Sequence, residues 1–133
     1  FSSLPNTPQC SLILTLTHFI ESCQKGKKEM AASGIFNVNT AMMNITISAF
    51  FALPKMREYA FNWLSQEKVV WMNILEKAKE LKEIRSDINV ELFASIFENV
   101  FLGSYLSGIV YTDGYKIEKL EREVMQIYQL IKA

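Results

Sequence analysis

The stretch that decides the fold is VELFASIFENVFLGSYLSGIVY, residues 90–111. Its apolar side chains recur every three or four residues, as they do on a helix, and they form two stripes. The first stripe is Val90, Phe93, Ala94, Phe97, Phe101, Ser104, Tyr105 and Gly108. The second is Leu92, Ile96, Asn99, Gly103, Leu106 and Val110. No charged residue occurs between Glu98 and Asp113. A helix that is apolar on two sides needs covering on both, so this one is predicted to lie between two neighbours.

Helices are also predicted on either side of this stretch. Asn89 can cap the central helix. Thr112-Asp113-Gly114 forms a turn in which glycine can take a left-handed conformation, and a last helix follows from about Tyr115 to Ile131. Upstream, Pro54 marks a break before a long amphipathic helix over about Lys55 to Lys82. One face of that helix carries Met56, Tyr59, Ala60, Trp63, Val70, Trp71, Ile74, Leu75, Ala78 and Leu81.

The first third of the chain is predicted to add two helices. Thr7 and Pro8 suit the start of the first helix, and Gly26 is a plausible stop. The segment from Asn37 to Leu53 has helical stripes, although its second half also alternates like a strand. Helix is preferred, because no other segment offers a strand to pair with its backbone. The prediction is therefore an all-α bundle of five to six helices, in one domain over residues 1–133.

Composition limits the function classes. The chain has 14 basic and 14 acidic residues, whereas a domain that binds nucleic acid by itself usually carries a basic excess. One histidine, no glycine-rich phosphate loop and no Cys/His cluster argue against an enzyme, a metal site or a cofactor. Cys10 and Cys23 on one helix lie about 20 Å apart and cannot bridge, which favours free thiols in the cytoplasm. Polar residues within the uncharged segment 33–54 argue against a membrane span.

The second stripe of the central helix predicts a homodimer. Its small residue Gly103 allows close approach of another helix, and two helices from each subunit would form a two-fold four-helix bundle. The predicted interface consists of Leu92, Ile96, Asn99, Gly103, Leu106, Val110, Leu120, Val124, Ile127 and Ile131. The alternative is that this stripe packs inside the monomer.

The stretch WMNILEKAKELKEIRSDIN, residues 71–89, resembles the C-terminal domain of TetR-family transcriptional repressors. The shared features are a tryptophan on a long helix, a Glu-Ile break and an aspartate before the next helix. Ala94, Gly103 and the Asp113-Gly114 link also fit, so that the resemblance runs from about Gly34 to the end. Two positions depart from the family pattern, since Lys82 replaces the usual glycine and Ile35 replaces a cysteine.

The resemblance implies the effector-binding and dimerisation half of a repressor. The family's helix-turn-helix domain is absent from these residues, and without an initiator methionine we expect a part upstream to be missing. DNA would be contacted only through that part. The resemblance also implies a cavity for a small apolar or amphipathic effector, beside the long helix. Two alternatives to a repressor are a ligand-free dimerisation module and a carrier of lipid-like molecules.

Candidate cavity residues are apolar or aromatic walls with a few polar groups among them. They are His18, Met42, Met43, Thr46, Phe50, Trp63, Trp71, Phe97, Phe101 and Tyr105. Ordinary core packing is the alternative for each apolar or aromatic residue. For His18 the alternative is a surface or core histidine with one partner.

Overall fold

A computed structural model describes residues 11–35, 37–111 and 114–133 of the chain. This part consists of helices and their connections and contains no β-strand, so the all-α prediction is confirmed. The helices are α1 (Ser11–Ala32), α2 (Val38–Ala52), α3 (Met56–Glu80), α4 (Val90–Ser107) and α5 (Ile117–Ile131). A 3₁₀ turn over Gly108–Val110 extends α4.

The core lies among α1, the second half of α3, α4 and α5. The α4 helix packs along α3, and α5 covers α1 and α4. The first α4 stripe faces this core, because Ala94 and Phe97 are fully buried and Phe101 packs against the core cluster. The other fully buried or nearly buried apolar side chains are Leu12, Leu16, Ile20, Trp71, Leu75, Ala78, Ile84, Ile88, Val90, Ile117, Leu120, Val124 and Ile131.

The predicted stop of α1 at Gly26 is wrong, since the helix continues to Ala32. A helical glycine costs about 1 kcal/mol relative to alanine, a penalty that contacts of α1 before and after Gly26 outweigh. Gly34 ends the helix instead, at φ +85°. Its N–H donates to Ala31 O at 3.0 Å, and Ile35 N–H donates to Met30 O at 2.9 Å, which is the Schellman pattern. The predicted start at Thr7 and Pro8 lies outside the described residues.

The helical prediction for α2 is confirmed. Its first turn is capped by Asn37, whose side-chain oxygen accepts from Thr40 N–H at 3.0 Å. The Asn37 amide group also donates to Tyr111 O at 2.6 Å. This one side chain therefore starts α2 and fastens it to the segment that follows α4.

Lys82, which stands where the resemblance expects a glycine, lies in the turn that ends α3. Lys82 has φ +62° and is left-handed, a conformation that glycine adopts more easily. Its N–H donates to Lys79 O at 3.1 Å, and Glu83 N–H donates to Ala78 O at 2.9 Å. The lysine thus adopts the backbone shape expected of a glycine at this position.

Two further predicted helix boundaries agree with the structure. Asn89 caps α4 by accepting from Leu92 N–H at 3.0 Å. Gly114 is left-handed at φ +84°, as the turn before the last helix requires. Thr112 and Asp113 of that turn lie outside the described residues.

Glu83 joins the two ends of the chain's described part. This side chain is 5% exposed, and its carboxylate accepts from Leu12 N–H at 2.7 Å and Ile13 N–H at 3.0 Å in the first turn of α1. It also accepts from the Tyr128 hydroxyl at 3.0 Å, on α5. A negative charge at a helix N-terminus is favourable. Glu83 therefore holds α1, the end of α3 and α5 together.

The predicted apolar face of α3 is buried only in its second half. Trp71 is 5% exposed, whereas Trp63 is 53% exposed and Tyr59 and Val70 are also exposed. Beside them, α2 exposes Ile45, Ile47, Phe50 and Phe51, and Leu53 is exposed just after its end. Within the described residues, α2 contacts mainly α3 and the 3₁₀ turn. No described element covers the outer side of α2 and the first half of α3. We call these two segments the α2–α3 arm.

The dimer prediction needs one correction. Leu120, Val124 and Ile131 of α5 are buried in the monomer's own core, because the single apolar face of α5 covers α1 and α4. Ile127 is half-buried against the same core. The α4 residues Leu92, Asn99, Gly103 and Leu106 are exposed, as is Val110 in the 3₁₀ turn, and Ile96 is half-buried among them. These six residues are called the outer α4 stripe below.

One described segment is long and apolar enough to cross a membrane, judged by length and composition alone. It is Val90–Val110, which comprises α4 and its 3₁₀ extension. Phe97, at its centre, is fully buried against Trp71 of α3, and soluble proteins also have apolar core helices of this kind.

Candidate functional site

Four aromatic rings meet between α1, α3 and α4. Trp71 stacks on Phe97 with centroids 5.1 Å apart and on Phe19 at 5.5 Å, and Phe101 lies 5.5 Å from Trp71. Three of the predicted cavity residues are therefore brought together: Trp71, Phe97 and Phe101. Rings at these distances are in contact, so they fill the space between the three helices as part of the core.

A groove of about 410 Å³ opens between α1, α4 and the segment before α5. The rows Phe19, Cys23, Lys27 on α1 and Phe97, Phe101, Tyr105 on α4 each advance by four residues, which keeps a row on one helix face. Both rows run from the aromatic cluster to the groove. The lining residues are Cys23, Gly26, Lys27, Glu29, Met30, Ser33, Tyr105 and Tyr115.

Lys27 and Tyr115 form one wall of this groove. The Lys27 ammonium donates to Tyr115 O at 2.7 Å and lies 5.5 Å from the centroid of the Tyr115 ring, within the range of a cation–π contact. The lysine is half-buried, so that its charge is partly shielded from water. A positive charge is thereby fixed at the edge of an aromatic surface.

Two phenols and a thiol supply the other polar groups. Burial raises the pKa of the Tyr115 phenol. A hydrogen bond to the neighbouring Cys23 sulfur and the nearby Tyr105 phenol raise this pKa further. Burial also raises the pKa of Tyr105. Both phenols are consequently neutral at physiological pH and keep their protons. Mixed apolar walls with a few placed polar groups are typical of small-molecule sites.

The other predicted cavity residues lie away from the groove. Met42, Phe50 and Trp63 are exposed on the α2–α3 arm, where Met43 is half-buried. The Thr46 hydroxyl donates to Met42 O at 2.8 Å within its own helix. His18 is half-buried on α1, but its position beside Phe19 turns it about 100° from the row that leads to the groove.

Sequence reasoning missed Phe19, Cys23, Lys27, Met30 and Tyr115. The four-residue spacing of the first three was a usable signal. The predicted helix stop at Gly26 placed Lys27 outside the helix and so outside this row.

A second, shallower groove of about 620 Å³ lies between α4 and α5. Val100 and Ile127 form its floor, and Lys119, Arg122, Glu123 and Gln126 line its sides. It borders the outer α4 stripe. On that stripe, a Cβ atom built at Gly103 meets no heavy atom within 4 Å. This side of the monomer accordingly has room for another helix.

No protein-family model, curated protein or solved structure matches this chain. The TetR-family resemblance consequently stays a prediction from residues 71–89 and the features around them. Among the described residues, no group of three or more His, Cys, Asp or Glu side chains could hold a metal ion.

Proposed function

We propose that this chain is the regulatory domain of a ligand-responsive transcriptional repressor of the TetR type. The groove between α1 and α4 would bind a small apolar or amphipathic effector, and the outer α4 stripe would join two copies. DNA would be contacted by a helix-turn-helix part outside these residues. The observation that carries the proposal is the groove itself, which combines apolar walls, two neutral phenols and an ammonium group.

The turn after α3 supports the family assignment. The resemblance expects a glycine at position 82, and Lys82 adopts a left-handed backbone there. A turn that needs this conformation is conformationally equivalent to the family's glycine turn. The residue has changed while the local backbone shape agrees with the expected one.

The outer α4 stripe supports the homodimer. Leu92 is 54% exposed and Leu106 is 52% exposed, although both belong to a long apolar stretch of the chain. Contact with a second copy would remove these apolar side chains from water, which is favourable. With α5 facing inward, this interface would rest mainly on α4 and on the edge of α5 at Ile127.

Coupling between the groove and DNA would follow from the position of α4. One side of this helix carries Tyr105 in the groove, and the other carries the outer stripe. A bound effector shifts the equilibrium between two dimer arrangements only by its different affinity for each. The proposal places the protein in the cytoplasm, as a homodimer with an effector, and assigns it no enzymatic activity, cofactor or membrane contact.

The codons upstream of Phe1 provide the first test. A helix-turn-helix encoded there supports a repressor, whereas an unrelated upstream sequence or a start at this position contradicts it. The second test is DNA binding by the intact protein. A repressor of this kind must bind its operator with different affinities when the groove is filled and when it is empty, and equal affinities for every groove ligand would contradict the proposal.

A further inference from the structure

The lining of the groove points to one class of ligand. We infer that the groove binds an amphipathic organic anion, with the negative group at Lys27 and the apolar body between Met30, Tyr105 and Tyr115. This inference rests on the proposed function, which requires an effector but does not give its chemistry.

Gly26 is the first observation behind it. This residue lies inside α1, where glycine destabilises a helix by about 1 kcal/mol relative to alanine. No neighbour requires its small size, because a Cβ at Gly26 would meet no heavy atom within 4 Å. The missing side chain leaves open the α1 wall of the groove. A larger side chain at this position would occupy the space where a ligand would lie.

The charge at the groove is the second observation. The Lys27 ammonium uses one N–H for Tyr115 O, and a lysine has three donors. Two donors therefore remain for an anionic group. Glu29 is the other charged residue that lines the groove, whereas Lys25 and Lys28 are exposed beside it and do not line it. The lining itself holds one positive and one negative charge, and segment 25–29 as a whole carries three positive charges and one negative charge. The excess from Lys25 and Lys28 beside the groove favours an anion.

The aromatic and sulfur-containing walls are the third observation. Met30, Cys23 and the two tyrosine rings offer an apolar surface that suits an aromatic or acyl body. Since both phenols keep their protons at neutral pH, they add no negative charge to the groove. An anion placed at Lys27 would therefore face no ionised phenol, and Glu29 is the acidic side chain among the lining residues.

Two fluorescent probes with nearly the same aromatic body test this inference on the whole chain. Anilinonaphthalene sulfonate carries one negative charge, and N-phenylnaphthylamine carries none. Both would be titrated into a Phe51→Ser background, which removes the most exposed aromatic side chain of the α2–α3 arm as a competing site. The variants are Lys27→Met, Lys27→Arg, Gly26→Leu and Gly26→Ala.

We expect Lys27→Met to weaken binding of the anionic probe about tenfold, equivalent to about 1.4 kcal/mol, and to leave the neutral probe within about twofold. Lys27→Arg should restore anion binding, because it keeps the charge. Gly26→Leu should weaken both probes by filling the groove. Gly26→Ala should bind both probes like the parent protein, which controls for the change in helix propensity.

The outcomes separate the two proposals. If Gly26→Leu weakens both probes but Lys27→Met affects them equally or not at all, the groove remains a ligand site and the anion class is wrong. If Gly26→Leu weakens neither probe, the groove is not the binding site, and the proposed function loses its effector site. Circular dichroism of each variant shows whether the fold is kept. Comparing Lys27→Arg with Lys27→Met shows whether the positive charge at this position is what binds the anionic probe.

Discussion

Lys27 lies across Tyr115, with its ammonium 2.7 Å from the tyrosine's carbonyl oxygen and 5.5 Å from its ring centroid. This pair joins α1 to the segment before α5 and forms one wall of the groove. It depends on α1 continuing through Gly26, since Lys27 follows that residue directly. The part of the α1 wall that carries Lys27, Glu29 and Met30 therefore depends on the helix continuing past Gly26.

The buried carboxylate of Glu83 should be essential for stability. Glu83→Gln would replace an acceptor oxygen with an amide donor that faces the N–H groups of Leu12 and Ile13. We expect the free energy of unfolding to fall by about 2–3 kcal/mol, since bonds to charged groups are strong and an unpaired buried donor is costly. Urea denaturation measures the change.

Tyr128→Phe is the matched comparison, because it removes only the hydroxyl that donates to Glu83 at 3.0 Å. It should cost about 1 kcal/mol. A Glu83→Gln variant as stable as the wild-type protein would show that this carboxylate does not hold the helices together.

Relief of the left-handed conformation at Lys82 should stabilise the protein. Lys82→Gly removes the Cβ penalty at φ +62°, and part of the gain is offset by the greater freedom of glycine in the unfolded chain. We expect a gain of about 0.5–1 kcal/mol in thermal denaturation. Lys82→Ala loses the same charge but keeps a Cβ, and it should show no such gain. Equal gains in both variants would contradict the explanation.

Glu98 should make stability depend on pH. Burial raises the pKa of its carboxyl, the nearby Glu67 raises it further, and Lys68 lowers it. One oxygen of Glu98 is buried without a hydrogen-bond partner among the described residues. A raised pKa in the folded state means that the stabilising contribution is present below the ordinary pKa and is lost as pH rises through the raised value.

Glu98→Gln should therefore be more stable than the wild-type protein at pH about 7, by less than about 1 kcal/mol, and the difference should vanish near pH about 4. Urea unfolding at the two pH values checks this. Glu91→Gln is the control, because Glu91 is exposed and pairs with Lys68 at 3.2 Å; it should be neutral or slightly destabilising. A Glu98→Gln variant that is less stable at neutral pH would reverse the assigned sign.

The dimer has its own test at Gly103. In the monomer, a Cβ at this position meets nothing within 4 Å, so Gly103→Arg should leave the fold intact while placing a charge in the centre of the outer α4 stripe. We expect monomers by light scattering. Asn73→Arg, on the exposed side of α3, should stay dimeric. An unchanged dimer mass for Gly103→Arg would place the interface elsewhere.

The sequence predicted the features that are local. Helical periodicity located the five helices, and the cap at Asn89 and the left-handed Gly114 followed from residue type and position. The stop at Gly26 was wrong because a local preference of about 1 kcal/mol was outweighed by contacts that no single segment reveals. The groove was missed with it, since Lys27 falls just past that supposed end.

Assignments of helix faces to neighbours were less predictable. Periodicity showed that Leu120, Val124 and Ile131 share a face of α5, but it could not show that this face covers the monomer's own core. Trp63 and Trp71 looked alike on the α3 pattern, yet one is half exposed and the other is buried. The difference arises because the neighbours of α3 change along its length.

The central claim is that the groove between α1 and α4 binds a small molecule, and Cys23 tests it most directly. This half-buried free thiol lines the groove, so a bound molecule must shield it. In a Cys10→Ser background, the rate of Cys23 alkylation by iodoacetamide would be measured with and without anilinonaphthalene sulfonate. At ten times the probe's Kd, only about a tenth of the protein remains free, and alkylation should slow about tenfold. The same alkylation rate with and without bound probe would contradict the claim.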